Sequence, residues 1–307
     1  MYTCPNLQQL LDEISNHHPR SVKGLQEAMK LSPARFAKLA ELFLGWAVTA
    51  FGEDAIPRMV GAFVQFSTDV NLAQARYEGC GHYEHRTFSD CFESVYSIRE
   101  TMDDYLLGVY LTNFLWAHHL EISCLFEDRF LSALGPKARL LEIAPGHGGW
   151  GLWALHCIPE AQLLAYDISP SSLTIASALA RAAGVSDRAQ YRIQNALELR
   201  PESDSLFDAC ICCFLIEHLE EPSPLFQVLV SMVKPGGLVF LAGALTAAQV
   251  DHICEFRRES ELVVLAEKHG FRVLELRSVN PRRTLPHSKF LPRSVALILQ
   301  KRTHDTW

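Results

Sequence analysis

The chain contains no run of apolar residues long enough to cross a bilayer. Its most apolar early stretch, Leu42 to Phe51, is about half of the roughly 20 residues that a spanning helix needs. The N-terminus, Met1-Tyr2-Thr3-Cys4-Pro5, has neither the basic start nor the apolar core of a signal peptide. Both absences predict a soluble, cytoplasmic protein with no membrane partner. Basic clusters are missing as well. The 28 Lys and Arg against 35 Asp and Glu give a formal charge of −7, with no stripe that would follow a phosphate backbone. Nucleic acid is therefore not expected as a partner. Nine cysteines, an odd number in no regular framework, exclude a secreted disulfide scaffold. Cys210, Cys212 and Cys213 lack the C-x-x-C spacing of zinc ligands. They lie in an apolar run, where free cysteine behaves as a small hydrophobe.

What is present is ordinary globular material: 307 residues, 49% of them hydrophobic, enough for a full core. Residues 1–135 read as helices. Ser32-Pro33 marks a helix start, and Phe36, Leu39, Phe43 and Ala47 follow at helical spacing. A second helical stretch runs from Asp54 to Gln74. Tyr77 to His85 carries two glycines among polar and aromatic residues and reads as a loop. Helix resumes from Ser89 to about Leu134. Gly135-Pro136 then punctuates the chain, dividing a helical region at 1–135 from a second domain at 136–307. In that second domain strands alternate with helices. Strands are predicted over 139–144, 162–166, 190–194, 209–214 and 238–242, with helices over 149–157, 171–183 and 224–233. Such alternation implies right-handed crossovers and a parallel sheet. A helix at 259–269 and strands at 272–277 and 294–300 close the chain, the last two as an antiparallel edge pair.

The strongest motif is Leu140-Leu141-Glu142-Ile143-Ala144-Pro145-Gly146-His147-Gly148-Gly149-Trp150-Gly151. It places a G-x-G-x-x-G pattern at a strand-to-helix turn, where glycines permit a tight turn and close approach of backbone to ligand. Asp167 ends the next strand, 21 residues beyond Gly146, the distance at which a carboxylate meets ribose hydroxyls. Two nucleotide classes share these features. Dinucleotide enzymes put a pyrophosphate on the helix N-terminus; the other class binds S-adenosylmethionine.

The remaining segments favour the second class. Leu-Glu-Ile-Ala-Pro-Gly-His-Gly at 141–148, Tyr-Asp-Ile-Ser at 166–169 and Phe-Asp-Ala-Cys-Ile-Cys-Cys-Phe at 207–214 resemble class I (Rossmann-like) S-adenosylmethionine-dependent methyltransferases, as do Glu217-His218-Leu219 and Val-Lys-Pro-Gly-Gly at 233–237. The resemblance covers residues 138–242 in order. It implies an α/β fold, a doubly wound seven-stranded sheet with an antiparallel last strand, preceded here by an all-α cap. It implies S-adenosyl-L-methionine as cofactor. By the same resemblance Glu142, Ala144, Gly146, His147 and Gly148 surround the methionine end. Asp167 binds the ribose and Ile168 packs on adenine. Asn195-Ala196 stands at the adenine edge, where many relatives carry Asp-Ala, and Cys213 and Phe214 lie beside the sulfonium.

Candidate catalytic residues are His218, Tyr83, His85 and His118. His218 follows the fourth strand and is either a general base or a residue that shapes the loop. His147 either touches the cofactor carboxylate or faces solvent. Tyr83 and His85 sit in the glycine-bearing loop, a candidate lid. Tyr105, Tyr110, Trp116, His118 and His119 either enclose a cation or form plain core. Of the two adjacent histidines, helical geometry predicts that one faces inward. Arg257-Arg258 and Arg282-Arg283 either grip a substrate carboxylate or are solvated surface charge, the latter being the default. No metal is expected: His82, His85, His118 and His218 have no spacing that demands one.

The leading function is methyl transfer to a small-molecule metabolite. The alternative keeps the cofactor as sole substrate. Azetidine-2-carboxylate synthases on this core are one example: the amine attacks the γ-carbon and methylthioadenosine leaves. A partner-binding module without catalysis is disfavoured by the intact glycine turn and Asp167. A homodimer through the helical region is an open expectation.

Overall fold

A computed structural model describes residues 5–91, 99–201, 206–281 and 288–303. The helical region comprises α1 (Pro5–His17), α2 (Val22–Leu31), α3 (Pro33–Phe51), α4 (Ala55–Cys80), α5 (Phe88–Cys91), α6 (Arg99–Leu115) and α7 (Ala117–Leu125). It ends in a π turn at Phe126–Phe130 and a 3₁₀ turn at Leu131–Ala133. Pro33 starts α3 as its sequence predicts, although Ser32 makes no side-chain cap bond. The expected loop at 77–85 is present but begins later, at residue 81. Helix α4 continues through Gly79 to Cys80 and stops at Gly81, whose left-handed φ of 78° caps it. A glycine inside a helix costs only about 1 kcal/mol, and Tyr77, in the same last turns of α4, is buried at 1% exposure. The long helix expected after Ser89 is broken at Trp116, which leaves the helical region of φ,ψ space (−91°, 119°).

From Arg139 onward the chain alternates as expected. The strands are β1 (Arg139–Ile143), β2 (Gln162–Asp167), β3 (Ala189–Ile193), β4 (Phe207–Cys213), β5 (Val233–Leu245), β6 (Phe271–Val279) and β7 (Arg293–Lys301). Between them run α8 (Gly149–Cys157), α9 (Pro170–Ala182), α10 (Ser223–Met232) and α11 (Glu259–Lys268). The seven strands form one sheet in the order β3-β2-β1-β4-β5-β7-β6. The first five are mutually parallel, and β7 inserts antiparallel between β5 and β6. Near-continuous burial along β1, β4 and β5 is what helices on both faces impose on parallel strands. Cys210 and Cys212 belong to that core, both fully buried in β4.

The helical region is fastened to the sheet rather than hung beside it. One hydrophobic cluster joins Phe36, Phe43 and Phe114 to Trp153, Phe126 and Phe240. Polar ties complete the attachment. Gln74 bonds the backbone at Thr246, Ala248 and Phe290, and the Glu78 carboxylate accepts from Lys289 N and Phe290 N. Within the region α4 and α6 cross at Gly108. A methyl group added there would sit 2.8 Å from Ala62 O and 3.2 Å from Phe66 Cβ. No helix described in the structure is long and apolar enough to cross a membrane.

That crossing gives the first prediction. Gly108→Ala, which improves helix propensity on an isolated helix, is expected to destabilise this fold by about 1–3 kcal/mol through overpacking. Thermal melts followed by circular dichroism measure the sign; a stabilised variant refutes the close crossing.

Candidate active site

The switch point of a doubly wound sheet lies between the two strands whose connections leave in opposite directions, here β1 and β4. A crevice at their C-terminal ends opens into a cavity of about 1080 Å³, roofed by α4, α6 and α7. Two non-glycine residues with left-handed φ stand at its edge, Ala144 (53°) after β1 and Phe214 (56°) after β4. Each keeps its backbone N–H paired across the sheet, Ala144 N with Tyr166 O and Phe214 N with Ala242 O. Backbone strain of this kind persists where surrounding structure over-determines it, and it gathers at binding sites.

The glycine turn is shaped by its neighbours. Gly146 and Gly148 adopt φ of 54° and 75°. A Cβ at Gly148 would lie 2.8 Å from Ala176 Cβ of α9. Asp167 (8% exposed) accepts from Gly146 N at 3.1 Å and Ser169 N at 2.9 Å, so it ties the turn to the tip of β2. Glu142 reaches under the turn from β1 and accepts from Gly151 N, in the first turn of α8, at 3.1 Å. His147 Nδ1 accepts from Gly149 N at 2.9 Å. The expectation of a solvent-facing His147 is therefore corrected: the ring is 5% exposed and caps α8 from within.

These bonds discriminate between ligand classes. A helix N-terminus binds phosphate with free N–H groups and positive potential. Here a ring nitrogen and a carboxylate already occupy two of those donors, and the carboxylate would repel a pyrophosphate. The second Glu142 oxygen is buried and has no hydrogen-bond partner among the described residues. Burial drives this carboxyl up to about 8, with the Gly151 N–H opposing and Asp167 adding to the rise. Asp167 is raised too, burial outweighing its backbone bonds. Two desolvated carboxylates on one wall call for a ligand bearing a cation and hydroxyl donors.

Ile168 (40% exposed), Asn195 and Ala196 line the same end of the cavity. Asn195 Oδ1 also caps the short turn that follows it, accepting from Leu197 N at 3.0 Å. Cys213 and Phe214 line the middle, opposite α7. There Trp116 stacks on His118 with ring centroids 5.2 Å apart, His119 meets both rings edge-on at 5.0 and 4.6 Å, and His119 lies 4.8 Å from Phe214. Both histidines border the cavity, not one, because the break at Trp116 makes them the first turn of a new helix. Burial pushes His118 down to about 3 and His119 well below its ordinary value. Neither is a proton donor near neutral pH. Tyr105 also lines the cavity, whereas Tyr110 turns into the core and donates to Phe43 O at 2.9 Å.

Tyr83 and His85 do not line the cavity. Tyr83 is 3% exposed and packs against Tyr77, with its ring 6.0 Å from His252, so it backs the site instead of closing over it. His218 does border the cavity, beside Glu217 and His252. Its Nδ1 lies 2.9 Å from Asp251 O and 3.6 Å from Asp251 Oδ2. Glu217 and His252 are functional candidates that sequence reasoning passed over; the adjacency of Glu217 to His218 was the one available signal. Arg257 pairs with Glu255 at the surface, and Arg282-Arg283 lies outside the described residues.

The comparisons with known proteins agree with this geometry. A family model described as a methyltransferase domain matches residues 140–237. Over those residues the core is similar to methyltransferase domains, and its sheet order is that of the class I fold. Such a domain implies S-adenosylmethionine as cofactor, and the buried Glu142 oxygen without a partner among the described residues and the Asp167 carboxylate would fit its amine and ribose. The methyltransferase domain is 32% identical over 107 residues to a ubiquinone biosynthesis O-methyltransferase of Xanthomonas campestris pv. campestris. That match covers 35% of this chain and 43% of the relative, so the chain spans under half the length of the curated relatives it matches. An O-methyltransferase family protein from Burkholderia thailandensis shares the fold over 83% of this chain and 74% of its own, with a TM-score of 0.57 and 15% identity. Phosphoethanolamine N-methyltransferase 2 of Haemonchus contortus, solved in complex with S-adenosyl-L-methionine, does so over 72% and 61%, with a TM-score of 0.52 and 18% identity.

The Glu142 environment generates a pH prediction. Its folded-state pKa, about 8, lies above the ordinary 4.5, so the unfolded chain binds fewer protons between those values. Stability must then fall as pH rises through that window, an effect on the order of a few kcal/mol. Glu142→Gln keeps an acceptor for Gly151 N and removes the titration. Thermal melts without added cofactor should show the wild type losing stability from pH 5 to pH 8 relative to the variant; parallel curves contradict the buried, unpartnered carboxyl.

Proposed function

We propose that the protein transfers the methyl group of S-adenosylmethionine to a small molecule held between the helical region and the sheet. The observation that carries this reading is the single cavity of about 1080 Å³, which holds the glycine turn and continues past Phe214 to Glu217, His218 and His252. A volume of that size exceeds what one cofactor fills and leaves room for a compact acceptor beneath the helices.

Under this reading Asp167 grips the ribose hydroxyls through the lone pairs its backbone bonds leave free. Ile168 packs on adenine, with Asn195 and Ala196 at the ring edge. Gly146, Gly148 and Ala144 bring backbone against the methionine portion, and Glu142 pairs with its ammonium. His147 holds the turn rather than the ligand. The cofactor supplies an electrophilic methyl carbon on a positively charged sulfur. Phe214, Trp116, His118 and His119 form a neutral aromatic wall that attracts such a cation and excludes water. Protonated imidazoles there would repel it, so the depressed basicity of His118 is suited to the role. His218 stands on the acceptor side, its Nδ1–H donated to Asp251 O, which leaves Nε2 with the lone pair. Tyr83 and His85 take no direct part.

The decisive experiment follows the products. Purified protein incubated with S-adenosylmethionine and candidate hydroxylated or aminated metabolites is expected to form S-adenosylhomocysteine only when an acceptor is present. Methylthioadenosine from the cofactor alone would replace transfer by intramolecular cyclisation. Asp167→Ala should weaken cofactor binding at least tenfold by calorimetry, since charge-assisted bonds to ribose contribute about 1.5–3 kcal/mol each. Unchanged affinity defeats the assignment of the pocket.

A further inference from the structure

At the far end of the cavity from the glycine turn, three metal-competent side chains converge. One nitrogen each from His218 and His252 and one Glu217 oxygen all lie within 4.8 Å of one another. The rings are 4.9 Å apart and nearly perpendicular. Glu217 and His218 belong to the 3₁₀ turn at Ile216–His218 after β4, and His252 to the segment after β5. The two segments are stitched by backbone: Ile253 N and Cys254 N both donate to Glu217 O, at 2.8 and 2.9 Å. The backbone that carries the cluster is thus fixed before anything binds.

Its internal bonding has the pattern of a ligand set. His252 Nδ1 lies 2.7 Å from Ala247 O, as His218 Nδ1 lies 2.9 Å from Asp251 O. A ring that donates Nδ1–H to a carbonyl is locked in the tautomer whose Nε2 offers a lone pair, the outer-sphere arrangement found around metal-bound histidines. The Asp251 carboxylate, fully buried, stands 3.6 Å behind His218. Glu217 is 1% exposed and its Oε2 has no hydrogen-bond partner among the described residues. Gly243 makes room for it: an added Cβ would come within 3.2 Å of that oxygen. A buried carboxylate oxygen left unpaired between two imidazoles is costly unless a cation completes it.

We propose that Glu217, His218 and His252 bind one divalent transition-metal ion on the acceptor side of the cavity. Two imidazoles and one carboxylate favour Mn²⁺, Fe²⁺, Co²⁺ or Zn²⁺ over the all-oxygen preference of Mg²⁺ and Ca²⁺. Ligand atoms about 2.0–2.2 Å from an ion sit roughly 3 Å apart, so the three side chains close inward on binding. Three ligands leave coordination positions open. An acceptor hydroxyl bound there loses its proton to solvent at a lower pH than it otherwise would. Its oxygen lone pair forms the bond to the methyl carbon, the carbon–sulfur bond breaks with its electrons remaining on sulfur, and S-adenosylhomocysteine is the product. The ion's catalytic use rests on the methyl-transfer reading; its binding does not.

Chelator-treated protein titrated with Mn²⁺, Co²⁺ and Zn²⁺ in a calorimeter tests this directly. One saturable site is expected, weakened by at least about tenfold in Glu217→Gln and in His252→Gln, because loss of a direct ligand should cost no less than loss of an outer-sphere partner. Circular dichroism checks that each variant is folded. Should either unfold, ring-proton NMR of the wild type replaces it: Co²⁺ should shift the signals of His218 and His252 before those of the other histidines. No saturable binding at millimolar ion, binding that both variants leave unchanged, or perturbation confined to other histidines overturns the proposal. Ion binding without methyl transfer to any acceptor would retain the site and defeat the functional reading. Transfer at full rate in protein shown to bind no ion would do the reverse.

Discussion

Glu142 holds the first turn of α8 through Gly151 N while Asp167 holds the glycine turn through Gly146 N, and both carboxyls are out of water. Everything around the cavity is arranged on those two bonds. They fix the backbone of the turn so that Gly146 and Gly148 take left-handed φ. They use up the helix donors that a phosphate would need. They also leave two buried carboxyls, raised in pKa by burial, on the wall where an ammonium and a ribose would lie. Gly151 has no alternative: a side chain there would collide with the Glu142 carboxylate and with Leu163. The motif's third glycine is therefore a packing requirement as much as a turn requirement.

Much of this was legible in the sequence because the methyltransferase core obeys local rules. All seven strands were found, most within two residues at each end, and α8 to the residue. Short apolar runs separated by helical stretches have few other solutions. The exception among strands is β5, which begins at Val233 and so includes Pro235 and the two glycines that ordinarily announce a turn. The helical region was less readable. Gly79 looked like a break, yet the left-handed residue that ends α4 is Gly81. The break at Trp116 has no glycine or proline to mark it and is imposed by packing on Phe66 and the two histidines. Hence the expectation that a single histidine faces inward failed.

The candidate site divided along the same line. Glu142, Ala144, Gly146, His147, Asp167 and Phe214 border the cavity as their positions in the parallel core require, whereas Gly148 does not line it and packs close to Ala176 of α9. Tyr83 and His85 were chosen for chemistry in a loop: Tyr83 lies behind the wall, and His85 does not border the cavity. His252 was invisible because its relation to Glu217 and His218 runs through a backbone link between two loops, not through sequence spacing. Convergence of that kind is a property of the sheet's C-terminal edge, where successive loops from β1, β2, β4 and β5 are brought side by side.

The two ends of the cavity are electrostatically opposite to what a uniform acidic chain would produce. Near the glycine turn, burial makes carboxyls reluctant to ionise and so ready to accept a cationic partner. Along α7, burial makes imidazoles reluctant to protonate and so tolerant of a positive sulfur. Beyond them, Glu217 is pushed up to about 7 and His252 down to about 4, burial leading in both cases. One physical cause, removal from water, thus tunes three neighbouring groups of residues toward accepting positive charge. The helical region is what removes the water. Its attachment through Gln74, Glu78 and the aromatic cluster is consequently part of the chemistry, and loosening it would alter ionisation at the site before it altered the fold of the sheet.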